Sequence, residues 1–250
     1  MPLKKGEFVI IPSYEHTIAK LGVTYAHPGG KQCSERILNT HPLTKDQYVL
    51  NAGCGSGDIS AWLVEKFSVN VIAVDRQAAY IEKAKLKHNH NNLSFEHADL
   101  FYTSFPKATF DVIISESVTF FNPIDQLLSR YYNWLKPGGV LYHQELVKED
   151  DHLTTDEKQE LCQFYGWHDI LSEHEWIVAL ANAGFSSVSV EERASLINRQ
   201  QSQSPSSFAV SFDENMSEGE FQLLEKHQEL SDRYAFTLGD RYFRSVKGAN

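Results

Sequence analysis

An α/β fold built on a doubly wound, mostly parallel sheet with helices on both faces is what this sequence predicts, on three observations. Short apolar runs rich in β-branched residues alternate with stretches whose apolar residues recur at helical spacing. The first run, Tyr48-Val49-Leu50-Asn51-Ala52, leads straight into a glycine turn, Gly53-Cys54-Gly55-Ser56-Gly57-Asp58, that opens a helix. Acidic side chains stand where later runs end: Asp75, Asp99 and Glu116. Ligands of open α/β sheets bind off the carboxyl ends of the strands, so Gly53 and these three carboxylates should share one crevice.

The elements follow in order. Tyr25-Ala26-His27-Pro28-Gly29-Gly30-Lys31-Gln32 reads as a turn-rich loop bending at Pro28-Gly29-Gly30, followed by a helix over 34–39 with Ile37 and Leu38 as its apolar members. After the glycine turn, Ile59, Trp62, Leu63 and Phe67 fall at i, i+3, i+4 and i+8, one stripe of a helix. Strands follow over 69–75, 93–99 and 110–116. A second stripe, Ile124, Leu127, Leu128, Tyr131 and Leu135, runs up to the turn Lys136-Pro137-Gly138-Gly139 and a fifth strand. Beyond it a polar segment over 149–159 leads to Phe164-Tyr165-Gly166-Trp167-His168-Asp169, which is either a pocket wall or the core of a helical flap. Ser172-Glu173-His174-Glu175 is a capping box opening a helix that ends at Gly184. Ser187 to Val190 alternates as a strand should, residues 196–212 are Ser- and Gln-rich around Pro205 and read as a loop or lid, 218–234 is a charged amphipathic helix, and 241–246 is a last strand.

Composition narrows the function classes. In 250 residues, 42% hydrophobic and 22% charged, the chain is an ordinary globular sequence long enough for a sizeable core. With 23 Lys and Arg against 33 Asp and Glu its formal net charge is −10, which repels a phosphate backbone and speaks against a nucleic-acid partner. Cys33, Cys54 and Cys162 are scattered, with no C-x-x-C and no zinc-ligand spacing, and read as free thiols in a reducing compartment. No metal site is expected. Phe8 to Ile11 is too short an apolar run for a signal peptide, and no run approaches membrane-spanning length, so the expected location is the cytoplasm.

The glycine turn limits the choice of ligand. A nicotinamide or flavin fingerprint needs glycine at 58, where this chain has Asp58, so the pattern is G-x-G-x-G and not G-x-G-x-x-G. Asp75 lies 18 residues past Gly57, at the end of the second strand, where a carboxylate accepts hydrogen bonds from ribose hydroxyls. Over about residues 46–147, this turn, the acids at 75 and 99 and the Lys136-Pro137-Gly138-Gly139 turn resemble the class I S-adenosylmethionine-dependent methyltransferases, nearest the type 11 group with its quinone- and sterol-methylating enzymes. The family usually has an acid where this chain has Asn51.

The resemblance implies a Rossmann-like, seven-stranded, mostly parallel sheet whose last strand is antiparallel. It implies S-adenosylmethionine as cofactor, held by Asn51, Gly53, Cys54, Gly55, Gly57, Asp75, Arg76, Asp99, Leu100 and Ser115, with Asp99 at the adenine amino group. It also implies that residues 1–45 form a helical cap over the site, that 46–250 are the methyltransferase domain, and that 150–170 and 196–236 are substrate-side lids or insertions. Tyr14, Tyr25, His27 and Lys31 of the cap, with Tyr165 and His168, are the substrate-pocket candidates. Methyl transfer is an in-line displacement needing approach geometry and exclusion of water; a hydroxyl or carbon acceptor also benefits from a base. Glu116 and His143, at the ends of the fourth and fifth strands, are the catalytic candidates, with His168 behind them. The expected partner is a small-molecule methyl acceptor, with the chain a monomer or homodimer. A protein acceptor, or cofactor binding without turnover, stays open.

Overall fold

The computed structural model describes residues 13–24, 27–149, 153–202 and 216–249. Its centre is a sheet in the order β3-β2-β1-β4-β5-β7-β6. Strands β1 (Tyr48–Ala52), β2 (Asn70–Asp75), β3 (Leu93–His97), β4 (Phe110–Glu116) and β5 (Leu135–Lys148) pair in parallel. Strand β7 (Leu238–Lys247) slots between β5 and β6 (Phe185–Ser195), antiparallel to both.

Because successive side chains of a strand point to opposite faces, continuous apolar runs bury both. On β4, Ile113 joins one core with Leu50, Leu127, Tyr131 and Trp176, while Val112 and Ile114 join the other with Val49, Leu63, Val71 and Ile81. The first core is covered by α5 (Ile124–Trp134) and α7 (Glu173–Asn182); α2 (Gly30–Thr40), α3 (Asp58–Phe67) and α4 (Ala78–Lys87) cover the second. A third cluster, including Tyr14, Leu161, Tyr165, Leu223 and Leu230, joins α1 (Tyr14–Leu21), α6 (Thr155–Tyr165) and α9 (Glu218–Arg233).

Several expectations change here. The predicted loop at 196–212 begins with a helix, α8 (Leu196–Ser202), because Leu196 packs into the third cluster; residues 203–215 lie outside the described set. Helix α2 is longer than 34–39 at both ends. Helix α1 went unread in the sequence, although Ser13 caps it by accepting from the His16 N–H at 3.3 Å. The polar 149–159 segment holds the start of α6, opened by a capping box of Thr154 and Glu157. Lys136 to Gly139 is not a turn before β5 but an irregularity within it: Leu135 pairs with Phe110, and pairing resumes only at Val140 with Val112.

Candidate active site

A cavity of about 900 Å³ opens at the carboxyl ends of β1, β2 and β4 and continues under α1, α6 and α9. The glycine turn forms its floor. The Gly53 and Cys54 N–H groups both donate to the Val74 carbonyl, at 2.8 and 2.9 Å, which pins the turn to β2. The three glycines then differ in purpose. A Cβ at Gly53 would collide with Val118, and one at Gly57 would come within 2.5 Å of the Phe95 ring, so these two allow close packing. At Gly55 a Cβ would meet nothing within 4 Å, and Gly55 lines the cavity.

Asp75 binds this turn to the next. Its Oδ2 accepts from the Gly55 N–H at 2.9 Å and its Oδ1 from the Gln77 N–H at 2.8 Å. Burial raises the Asp75 carboxyl above the usual range, and the two N–H donors oppose that shift. Each oxygen keeps a further lone pair for a ligand. Asn51 lines the cavity while its amide donates to Ser60 Oγ at 2.8 Å. Cys54, Arg76, Asp99 and Leu100 also line it, with Asp99 Oδ1 accepting from the Phe101 N–H at 2.8 Å. Arg76 forms an ion pair with Glu15 of α1 and lies 5.2 Å over the Phe121 ring, fastening α1 to the sheet.

Glu116 ends β4 at the cavity, where the Tyr242 hydroxyl donates to its Oε1 at 3.1 Å and His27 Nε2 lies 3.7 Å from its Oε2. His27 Nδ1 lies 2.8 Å from Gln144 Oε1. The Gln144 amide nitrogen donates to the Pro28 carbonyl and to Asp240 Oδ2 at 2.8 Å, which fixes Oε1 as an acceptor. His27 Nδ1 therefore donates to that oxygen, and Nε2 turns toward Glu116. Asp240 is in turn clasped by Arg199, at 2.8 and 2.7 Å.

The cavity's other half has aromatic and aliphatic walls. Tyr165 stacks on Trp167 with centroids 4.3 Å apart, and its hydroxyl lies 2.9 Å from His227 Nδ1; Tyr14 approaches the other ring nitrogen at 3.4 Å. Burial lowers His227 to about 4, so the ring is neutral at pH 7. Tyr165 thus belongs to both readings of the 164–169 stretch, lining the cavity and packing the third core.

Other candidates stand elsewhere. Ser115 and His143 are register partners on β4 and β5 and face the first core, one residue out of phase with the Glu116–Gln144 pair that faces the cavity. Ser115 bonds to Tyr131 at 3.2 Å, and the His143 ring stacks on Phe243 at 4.8 Å with neither nitrogen hydrogen-bonded among the described residues. Burial drops His143 to about 3. Lys31 pairs with Glu35 on the outer side of α2, and His168 is exposed, its backbone N–H donating to the Phe120 carbonyl at 2.7 Å. Gly57 lies behind the lining and Tyr25 outside the described residues. Sequence reasoning missed Glu15, Gln144, Arg199 and His227; only the placement of Gln144 beside His143 at a strand end was a usable signal.

His143→Leu is therefore expected to stabilise the chain by about 1 kcal/mol, since it removes a buried donor and acceptor that have no partner among the described residues. Because the folded pKa is depressed below about 6.5, native stability falls as pH drops from 6.5 toward 3, and the variant should lose that part of the slope. Urea titrations at pH 4 and 7 measure both, and a variant less stable by 2 kcal/mol at pH 7 would show an overlooked His143 partner.

Residues 49–139 match the family model described as a methyltransferase domain. The uncharacterized methyltransferase YodH of Bacillus subtilis (strain 168) is 28% identical over 236 residues, covering 94% of this chain and 99% of its own. Phosphoethanolamine N-methyltransferase 3 of Arabidopsis thaliana is 29% identical over 177 residues, which is 69% of this chain but 35% of that protein, so the chain spans about a third of its length. A solved structure of Haemonchus contortus phosphoethanolamine N-methyltransferase 2, with phosphomonomethylethanolamine and S-adenosylhomocysteine, superposes with a TM-score of 0.73 at 19% identity, over 93% of this chain and 57% of that one. The matched domain, and a seven-stranded sheet with β7 inserted antiparallel between β5 and β6, define the class. Together these findings support a class I S-adenosylmethionine-dependent methyltransferase.

Proposed function

We propose that the chain transfers a methyl group from S-adenosylmethionine to a small-molecule acceptor by in-line displacement. The observation that carries this reading is one continuous cavity, with bare backbone at Gly55 and the buried Asp75 carboxylate at one end and aromatic walls at the other. The residues fit the cofactor: Gly55 leaves room along the turn, Asp75 has lone pairs for two ribose hydroxyls, and Asp99 and Leu100 border the place of the adenine. When bound, the cofactor supplies an electrophilic methyl group. Glu116 and His27 then orient the acceptor, and either takes a proton from an O–H or C–H acceptor as the methyl bond forms. Tyr14, Tyr165 and Trp167 close that side against water.

Incubation with methyl-labelled S-adenosylmethionine and a cell metabolite extract, followed by mass spectrometry, should yield a labelled small molecule. Label found only on protein would overturn the acceptor class. Asp75→Ala is expected to weaken cofactor binding by about 1.5–3 kcal/mol, the range for a hydrogen bond to a charged group; unchanged calorimetric affinity would remove Asp75 from the ribose. Glu116→Gln should lose turnover and keep cofactor affinity, and equal turnover would take Glu116 out of the chemistry.

A further inference from the structure

Two of the relatives described above are named for phosphoethanolamine, a phosphate monoester of an amino alcohol. Phosphate recognition relies on guanidinium or ammonium groups, or on helix N-termini, left available to its oxygens. Among the described residues lining this cavity, carboxylates outnumber guanidiniums seven to two. Both guanidiniums are committed to carboxylates of the protein. Arg76 is paired with Glu15, and Arg199 spans Asp240 and Glu192 at 2.7 Å each. The half of the cavity beneath α1, α6 and α9 adds Glu225 and Asp232, both acidic, to walls of Ile18, Leu161, Trp167 and Leu224. Its polar landmark is the Tyr14–His227–Tyr165 cluster, whose imidazole burial keeps neutral. Neutral hydroxyl and imidazole groups can bond an uncharged polar group but do not compensate a dianion. An acidic lining suits a cofactor carrying a positive sulfonium, and it repels an anionic second ligand.

We infer that the acceptor is a predominantly apolar molecule without a phosphate or carboxylate group, seated between Trp167, Tyr165 and Leu224 with an uncharged polar group at the Tyr14–His227–Tyr165 cluster. This rests on the methyltransferase reading above and separates the chain's substrate from the phosphoethanolamine of its relatives.

A matched pair of probes tests it. The protein loaded with S-adenosylhomocysteine is titrated calorimetrically with 4-hexylphenol and with 4-hexylphenyl phosphate, which differ only in the anion. The phenol should bind at least tenfold tighter, and phosphoethanolamine should take no label from methyl-labelled cofactor. Glu15→Gln, which releases Arg76, should narrow the ratio between the two probes. A phosphate ester bound as tightly as the phenol, labelled phosphoethanolamine, or a ratio unmoved by Glu15→Gln would overturn the inference and leave the cofactor reading standing. Failure of S-adenosylhomocysteine itself to bind would remove the cofactor reading instead, and the probe ratio, measured on the protein alone, would still decide the charge class of the second ligand.

Discussion

Gly55→Val should abolish measurable binding of S-adenosylhomocysteine, a loss of at least a hundredfold or about 3 kcal/mol. Two effects act together. Gly55 sits at φ 52°, where an L side chain is disfavoured by about 1–2 kcal/mol, so the turn that presents the cavity floor is strained. Its Cβ direction also faces space within which no protein atom lies closer than 4 Å, so the valine side chain enters open cavity volume, where the proposed function puts the cofactor. The neighbouring glycines provide the control. Gly57→Ala drives a methyl group against the Phe95 ring and Ala84, so it should lower the melting temperature first and affinity only through the fold. Calorimetry and thermal melts on both variants separate the two roles. If Gly55→Val melted normally and still bound the cofactor product, the floor of the cavity would have to lie elsewhere.

That difference among three glycines was not legible in the sequence, where all three read alike. What a βα turn announces is local: a β-branched run, a break and a helical stripe all follow from backbone preferences within a dozen residues. Hence Gly53 to Asp58, Asp75 and Glu116 were found at the correct strand ends, and the strand pattern led to the sheet. Whether a strand-end residue faces the cavity depends on a phase of one residue. Ser115 and His143 failed together for that reason, because they are each other's register partners and one phase places both in the core. Gln144, in phase with Glu116, carries the contact to His27 instead. The half of the cavity beneath α1, α6 and α9 was the least legible. Tyr14 and His227 meet across 213 residues of chain, and nothing in a charged amphipathic helix distinguishes His227 from its solvated neighbours until α1 packs against α9. The aromatic stretch around Tyr165 showed composition without direction, and only the fold of α6 and the residues after it turned two of its rings, Tyr165 and Trp167, into a wall.

The second large effect concerns Glu145, one residue further along β5. It is completely buried, its Oε1 accepts from the Thr119 N–H at 3.0 Å, and its Oε2 makes no hydrogen bond among the described residues. Burial pushes its carboxyl up to about 8, with the Thr119 donors only partly offsetting it, so the group is protonated in the native state at pH 7 and ionised in the unfolded chain. With the folded pKa raised, the native state binds more protons between about 4.5 and 8, and stability falls as pH rises through that window. The expected loss from pH 5 to pH 8 is about 2–4 kcal/mol. Glu145→Gln, which cannot ionise, should flatten this part of the profile, whatever its effect on stability at pH 5. The consequence reaches the site. Thr119 begins the short helix Thr119–Phe121, and Val118 and Phe120 beside it line the cavity, so an ionised Glu145 seeking water loosens the segment that faces Gly53. Urea midpoints at pH 5, 6.5 and 8 for both proteins measure the slope, and cofactor affinity above pH 8 should decline in the native chain more than in the glutamine variant. Parallel stability profiles for the two proteins would mean that Glu145 is ionised where it sits, with a compensating partner that the fold conceals.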